Sequence, residues 1–286
     1  MNNSLSDRKF APRQALTPTP ALYQEIVGDG MEQLAAVSIS CLDSFETSEI
    51  IAHDVGCGLG AATAALVVRT HSENLTIKGS DIDKGAVESY RQNIAQKNWP
   101  AEVFEMDASA LKFGDETFTP TIANALIFTL PNDGIDAMKE IYRTLKPGGI
   151  AVVNSWAYTP TVPAIQAASK KTRPAGTPLP RQGLEKWEDA DFLRDAVIKG
   201  GFSPDKVTLL KRNVDGTIGD LGHFSTMMWS FVGGTSTAGW LESDEEHWDT
   251  AVNALEEVLT LSEGYEKLDG GRNKIRFVAN IAVATK

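Results

Sequence analysis

The chain has 286 residues, a formal net charge of -11 and 42% apolar residues. That length suits one large domain or a domain with a cap, and the acidic balance argues against a general nucleic-acid binder, whose footprint would be basic. Two cysteines, Cys41 and Cys57, rule out a disulfide framework and point to a reducing, cytoplasmic setting; no apolar run approaches the roughly 18 residues of a membrane span.

In chain order, residues 1–20 are rich in Asn, Ser, Thr and Pro and read as a loose arm without the apolar centre of a secretory signal. Residues 21–45 read as helix, broken at Gly28-Asp-Gly30, with Met31, Leu34, Ala35, Ile39 and Leu42 at helical spacing. Residues 1–48 therefore form an arm and a helical cap ahead of the first strand. Tyr23 either reaches a ligand there or packs as an ordinary aromatic.

The next stretch alternates strand and helix. An apolar strand at residues 50–55 runs into Gly56-Cys-Gly-Leu-Gly60, and a helix follows over 61–69. A second strand, 75–80, leads to Asp81-Ile-Asp83 and a helix over 85–97, which Asp83 caps. A third strand, 102–106, ends in Asp107, and a fourth covers 121–128. A helix over 133–145 stops at Lys146-Pro-Gly-Gly149 before a fifth strand, 150–154. This alternation predicts an α/β, Rossmann-like, doubly wound sheet with ligands bound beyond the carboxyl ends of its strands. Asp54, Asp81, Asp107 and Asn124 all stand at or near those ends.

The glycine turn alone is ambiguous. Gly56, Gly58 and Ala61 satisfy the dinucleotide pattern, and Asp81 lies about 20 residues on, as that fingerprint requires. Asp54, two residues before the first glycine, is better suited to a cation or an ammonium group than to a bare pyrophosphate. Cys57 has no cationic neighbour in sequence and reads as space-filling.

Residues 156–183 are dense in Pro, Thr and Ala and read as a lid with a short helix at 162–171. Their basic cluster, Lys170-Lys-Thr-Arg173, either attracts an acidic substrate or is a solvated helix end. An amphipathic helix over 184–199 and a strand over 206–212 come next. A second lid, 213–240, carries His223 and the run Met227-Met228-Trp229, which is either an adaptable apolar wall or core. A helix over 242–262 precedes a last strand, 274–284, the seventh. Residues 49–286 thus make one domain, with Trp156, Trp229 and Tyr23 as substrate-contact candidates.

Four segments now combine: His53-Asp-Val-Gly-Cys-Gly-Leu-Gly60, Lys78-Gly-Ser-Asp-Ile-Asp83, Phe104-Glu-Met-Asp-Ala108 and Leu145-Lys-Pro-Gly-Gly149. Across residues 50–155 the chain resembles class I S-adenosylmethionine-dependent methyltransferases. It is most similar to the branch with ubiquinone/menaquinone-type enzymes and small-molecule methyltransferases of fungal secondary metabolism. The resemblance implies an antiparallel last strand, S-adenosylmethionine as cofactor and S-adenosylhomocysteine as product. It implies that the loop of Gly56, Cys57, Gly58 and Gly60 runs along the methionine part, with Asp54 near the ammonium. Asp81 then accepts from the ribose hydroxyls, Ile82 lies against adenine, and Asp107 accepts from the adenine amino group beside the Ala108 backbone. Asn124 falls near the methionine end.

Methyl transfer needs alignment and, for a protonated acceptor, a base. Histidine suits that role, and His223 is the candidate; His53 reads as structural, His71 and His247 as exposed. Asn124-Ala-Leu-Ile127 stands where base-amino methyltransferases carry Asn-Pro-Pro-Tyr. Asn124 and Asn154 do not supply a carboxylate cluster, so no metal is expected. The expected partner is a small molecule, without nucleic acid or membrane, in a monomer or homodimer. A protein or RNA methyltransferase and a non-methylating cofactor binder remain open alternatives.

Overall fold

The computed structural model describes residues 10–42, 49–70 and 74–286. His71 and the first nine residues of the expected arm lie outside the described residues. The elements are α1 (Pro20–Val27), α2 (Gly30–Ile39), β1 (Ile50–Val55), α3 (Ala61–Thr70), β2 (Leu75–Asp81), α4 (Lys84–Lys97) and β3 (Ala101–Glu105). β4 (Phe118–Ala123), α5 (Ile135–Thr144), β5 (Leu145–Tyr158), α6 (Thr161–Thr172), α7 (Ala190–Lys199), β6 (Val207–Ile218) and α8 (Leu221–Ser230) follow. The chain ends with α9 (Val232–Thr235), α10 (Glu242–Glu246), α11 (Trp248–Thr260), β7 (Glu266–Lys267) and β8 (Asn273–Thr285).

The sheet order is β3-β2-β1-β4-β5-β8-β6, with the two-residue β7 paired to β8 off this path. β1 runs parallel to β2 and β4, β2 to β3, and β4 to β5. β8 lies antiparallel to β5. Seven strands, mostly parallel with the last reversed, are the expected architecture. Strand order reverses at β1 and β4, so the carboxyl end of β1 is the switch point where such sheets bind ligands.

Several local boundaries differ from expectation, β6 among them, which runs on to Ile218 rather than stopping at 212 and so takes up the start of the expected second lid. β4 ends at Ala123 rather than running to 128, because Ala125 takes a left-handed φ of 54° and breaks the ladder. Lys146-Pro-Gly-Gly149 lies inside β5: Leu145, the C-cap of α5, is already extended, and the pairing with β4 shifts register there. The helix expected over 184–199 opens as a 3-10 turn at Glu185–Glu188 and restarts where Asp189 accepts from the Asp191 N–H. The helix expected over 242–262 divides at His247, whose backbone leaves the helical region.

Two compact units form. One comprises Gly30–Tyr158, Leu184–Val214 and Val278–Lys286 and contains most of the sheet. Its core gathers Phe118, Met138, Ile141, Leu145, Val153 and Phe202. α5 shows why it docks there: Ala137, Met138, Ile141 and Thr144 are its buried residues and share one face of the helix. The other unit comprises Met1–Asp29, Thr159–Gly183 and Asp215–Phe277. Ile165, Phe224, Met228, Trp229, Trp248 and Leu255 belong to its core. Each fully buried side chain of this size stabilises its unit by about 1.5–3 kcal/mol relative to exposure. The residues expected to form one cap thus divide: α1 belongs to the second unit and α2 to the first.

Candidate functional site

β1 delivers the chain into the glycine loop at the switch point. Gly56 has φ +66°, and a Cβ there would meet Leu126 Cδ1 at 2.6 Å. Gly58 has φ +50°, and nothing lies within 4 Å of a Cβ at that position. Packing explains the first glycine. The second leaves an open face where a ligand can lie against bare backbone.

The loop amides are used internally. Gly56 and Cys57 both donate to the Ser80 carbonyl, at 2.8 and 3.0 Å, and Gly60 donates to the Cys57 carbonyl at 2.8 Å. Gly58 donates to Asp81 Oδ2 at 2.9 Å. A pyrophosphate cradle needs such N–H groups free. Here the four are satisfied by the protein, and the loop is flanked by carboxylates.

Asp54 is 1% exposed. Its Oδ2 accepts from the Thr63 N–H at 3.0 Å and the Thr63 hydroxyl at 2.8 Å. Thr63 is the third residue of α3, so this N–H is one of the donors a helix leaves unpaired at its start. Burial pushes the Asp54 carboxyl up to about 7, against the lowering effect of the Thr63 bonds. His53 is equally buried; its Nε2 pairs with Ser80 Oγ at 2.8 Å and its ring stacks on Phe118. Burial lowers its pKa to about 3, so it stays neutral and structural. Cys57 is 5% exposed, and burial pushes its thiol well up, which is inert packing rather than a nucleophile.

Asp81 at the end of β2 accepts once on each oxygen, from Gly58 and, at 3.0 Å, from the Asp83 N–H. A carboxylate has about four acceptor sites, so each oxygen can still accept from a ligand hydroxyl. Asp83 is spent on α4, taking the Ala86 N–H at 2.7 Å. Ile82 between them is 67% exposed. Asp107 follows β3, is exposed, and accepts from the Ser109 N–H at 2.8 Å; Ala108 beside it is buried.

A carboxamide network lies at the next strand ends. Asn154 Oδ1 accepts from the Ala125 N–H at 2.7 Å. Asn154 Nδ2 donates to Ser38 Oγ and to Asn124 Oδ1, each at 2.9 Å. Asn124 Nδ2 donates to the Met31 carbonyl at 3.2 Å. This network pins α2 to the rim and holds the left-handed turn after β4. Asn124 is a sequence candidate, whereas Asn154 as its partner and Ser38 as the partner of Asn154 emerge only in the structure; two asparagines at the ends of neighbouring strands are the available signal.

Trp156 is half-buried two residues beyond Asn154 in β5. The cofactor candidates and Trp156 thus belong to one unit, and Tyr23, His223 and Trp229 to the other. Tyr23 is 58% exposed on α1. His223 is exposed in the first turn of α8, and its Nε2 lies 3.0 Å from Glu25 Oε1. His247 is exposed as expected. Trp229 is corrected: at 0% exposure it is core of its unit, with the Arg173 guanidinium over its ring, and presents no face to a substrate. The basic cluster also resolves differently, since Lys170 and Lys171 are exposed while Arg173 is buried against Asp244.

The chemistry of the loop selects its ligand. A molecule with an ammonium group, a sulfonium and two ribose hydroxyls brings positive charge and donors. The loop offers the Asp54 and Asp81 carboxylates and one bare glycine face, so the residues fit such a group. The fold and these residues suit an adenosyl cofactor.

Comparison with known proteins agrees. Residues 52–149 match the family model of a methyltransferase domain. A methyltransferase of Aspergillus niger, KtnA, is 27% identical over 204 residues, covering 62% of this chain and 66% of the relative. A carboxy-S-adenosyl-L-methionine synthase of Shewanella woodyi is 27% identical over 154 residues, covering 53% of this chain and 62% of the relative. The chain thus spans just under two thirds of the length of these curated relatives. A solved Bacillus halodurans protein described as a methyltransferase shares the fold at 16% identity and a TM-score of 0.54, over 90% of this chain and 99% of that one. Residues 52–149 thus carry a likeness to the methyltransferase domain of S-adenosylmethionine-dependent enzymes.

Proposed function

We propose that the protein transfers the methyl group of S-adenosylmethionine to a small-molecule acceptor of the secondary-metabolite kind. The observation that carries this reading is the glycine loop with its amides turned inward and the carboxylates of Asp54 and Asp81 beside it. When bound, the cofactor supplies a methyl group made electrophilic by its sulfonium. Asp54 holds the ammonium, Asp81 the ribose, Ile82 the adenine ring, and Asp107 its amino group, with the Ala108 backbone beside it. Asn124, braced by Asn154, positions the methionine end. Trp156, in the same unit as these cofactor residues, contacts the acceptor. His223 is the proposed base: Glu25 orients it at Nε2, which leaves Nδ1 to take a proton.

The test is label transfer. Methyl-labelled S-adenosylmethionine is incubated with the protein and a cell extract, and the extract is then separated into protein, RNA and small-molecule fractions. Label in the small-molecule fraction with release of S-adenosylhomocysteine is expected; label in protein or RNA overturns the substrate class. The carboxy-S-adenosyl-L-methionine synthase relatives favour a second reading, in which the cofactor itself is altered. Label retained on a modified sulfonium product distinguishes it.

A further inference from the structure

α4 starts at the Asp83 cap, and its buried residues are Val87 and Tyr90, three positions apart on one face of the helix. Tyr90 is 0% exposed, and its ring occupies space that two glycines keep open. A Cβ on Gly60, the last glycine of the loop, would lie 3.1 Å from Tyr90 Cε2. A Cβ on Gly79 of β2 would lie 2.9 Å from Tyr90 Cζ and 3.0 Å from the hydroxyl oxygen. Three residues further along α4, Asn93 Nδ2 donates to the Leu59 carbonyl at 2.9 Å. The helix therefore meets the glycine loop at two points, with an aromatic ring at one and a carboxamide at the other.

A buried hydroxyl needs a partner. Here it is Thr63, whose Oγ1 lies 2.5 Å from Tyr90 Oη. Which of the two donates is settled by counting protons. A threonine hydroxyl has one to give, and Thr63 gives it to Asp54 Oδ2 at 2.8 Å. Thr63 must then accept from Tyr90. Burial, and after it the charge of Asp54, push the Tyr90 phenol up, so it keeps its proton and donates. The result is a chain of donors from Tyr90 to Thr63 to Asp54, in which each bond polarises and strengthens the next. Both Thr63 bonds to Asp54 fall on Oδ2, and Oδ1 takes neither.

We infer that Tyr90 is a positioning residue for cofactor binding: through Thr63 it steadies the Asp54 carboxylate and leaves Oδ1 to the ammonium group. This inference rests on the proposed placement of that ammonium at Asp54. All three residues belong to one compact unit. The other titratable groups around Asp54 do not share the task. Asp81, on β2, raises the Asp54 pKa by charge repulsion. Cys57, in the loop, stays a thiol through burial, and His53, on β1, stays neutral for the same reason. Thr63 alone opposes the burial of Asp54, and Tyr90 stands behind Thr63.

The experiment is calorimetric titration of S-adenosylhomocysteine into the full chain from about pH 5.5 to about pH 8.5. The proteins are the wild type, Tyr90→Phe, Thr63→Val and the double variant. Methylthioadenosine, which carries the adenosine but no ammonium group, is the control ligand. Tyr90→Phe keeps the ring beside Gly60 and Gly79 and removes only the hydroxyl. It is expected to move the midpoint of the affinity–pH curve up by about half a unit, with S-adenosylhomocysteine bound about threefold more weakly below the midpoint and the gap closing above it. Its affinity for methylthioadenosine should stay within about twofold of the wild type. A purely structural role would weaken both ligands alike at every pH. Thr63→Val should shift the midpoint further, and adding Tyr90→Phe to it should change nothing more, because the chain is already cut. If Tyr90→Phe does not fold, a ring-fluorinated tyrosine at position 90, a stronger donor of nearly the same shape, carries the test by moving the midpoint down. An unmoved midpoint, equal losses for the two ligands, or a full Tyr90→Phe effect on top of Thr63→Val would overturn the inference. The wild type separates the two readings. If S-adenosylhomocysteine does not bind it, the cofactor reading falls and takes the role of Tyr90 with it; binding with an unmoved midpoint in Tyr90→Phe removes Tyr90 alone.

Discussion

The Asp54 carboxylate accepts both the backbone N–H and the hydroxyl of Thr63, at 3.0 and 2.8 Å. One acid thereby anchors the start of α3 and stands at the base of the glycine loop. Its folded pKa of about 7 lies above the ordinary 3.8, chiefly through burial. The sign follows from the proton count: between those values the folded state holds a proton that the unfolded state has lost. The stability this group contributes is present below pH 3.8 and is lost as pH rises to about 7. Asp54→Asn should flatten that part of the pH-stability curve.

Binding provides the complementary measurement. An ammonium group beside Asp54 favours the ionised carboxylate. The affinity for S-adenosylhomocysteine should therefore rise with pH, by up to about tenfold per unit below pH 7, and level off above it. Calorimetry from about pH 5.5 to about pH 8.5 checks the slope. A flat or falling profile would remove Asp54 from the ammonium position.

Asp81 and Asp83 sit one residue apart and separate cleanly by experiment. Asp81→Ala removes the acceptor for the Gly58 and Asp83 amides and, in the proposed function, for the ribose hydroxyls. A loss of about 100-fold or more in S-adenosylhomocysteine affinity is expected, from two charge-assisted bonds of about 1.5–3 kcal/mol each, with cooperative unfolding retained. Asp83→Ala removes the cap of α4 and should cost about 1 kcal/mol of stability with affinity unchanged. Equal affinities for the two variants would mean the ribose assignment is wrong.

Asn154 joins Ser38, Asn124 and the turn at Ala125. Asn154→Ala strands a buried donor and two acceptors, each left unsatisfied at about 1–3 kcal/mol. A stability loss of about 3 kcal/mol in urea unfolding is expected, together with weaker cofactor binding through the loosened turn. Stability within about 0.5 kcal/mol of the wild type would mean the network is not a determinant of the rim.

The parts of this site that were legible in sequence are those where chemistry is local. Gly56, Gly58 and Asp54 fall within five consecutive residues, Asp81 ends a strand of recognisable period and Asp107 closely follows one. What stayed hidden depends on residues far apart in the chain. Glu25 meets His223 across 198 positions, and Asn124 meets Asn154 across 30. Trp229 lies on a Met-rich run whose composition is the same for a core and for an apolar wall, so only its burial separates them. Arg173 was read with its lysine neighbours because charge clusters are visible in sequence, whereas its partner is 71 residues away.

That partnership yields the last prediction. Arg173 and Asp244 have side chains with 0% exposure, and Asp244 Oδ2 also accepts from the Leu241 N–H at 2.8 Å. Removing one member leaves the other charge buried without compensation. Arg173→Met should destabilise the unit containing α6 and α11 by about 3–5 kcal/mol. Arg173→Met combined with Asp244→Leu should recover part of that loss, because an apolar pair no longer has to be stripped of water. The recovery stays incomplete, since the double variant also forfeits the bonds to Ser236, Gly239 and Leu241. Urea unfolding followed by tryptophan fluorescence reports this unit through Trp229, Trp240 and Trp248, read against a Trp99→Phe, Trp156→Phe, Trp187→Phe background that silences the other unit. A single variant as stable as the wild type would show that the pair is solvated rather than sealed, and the low exposure of Arg173 would then fail as an explanation of its place in the fold.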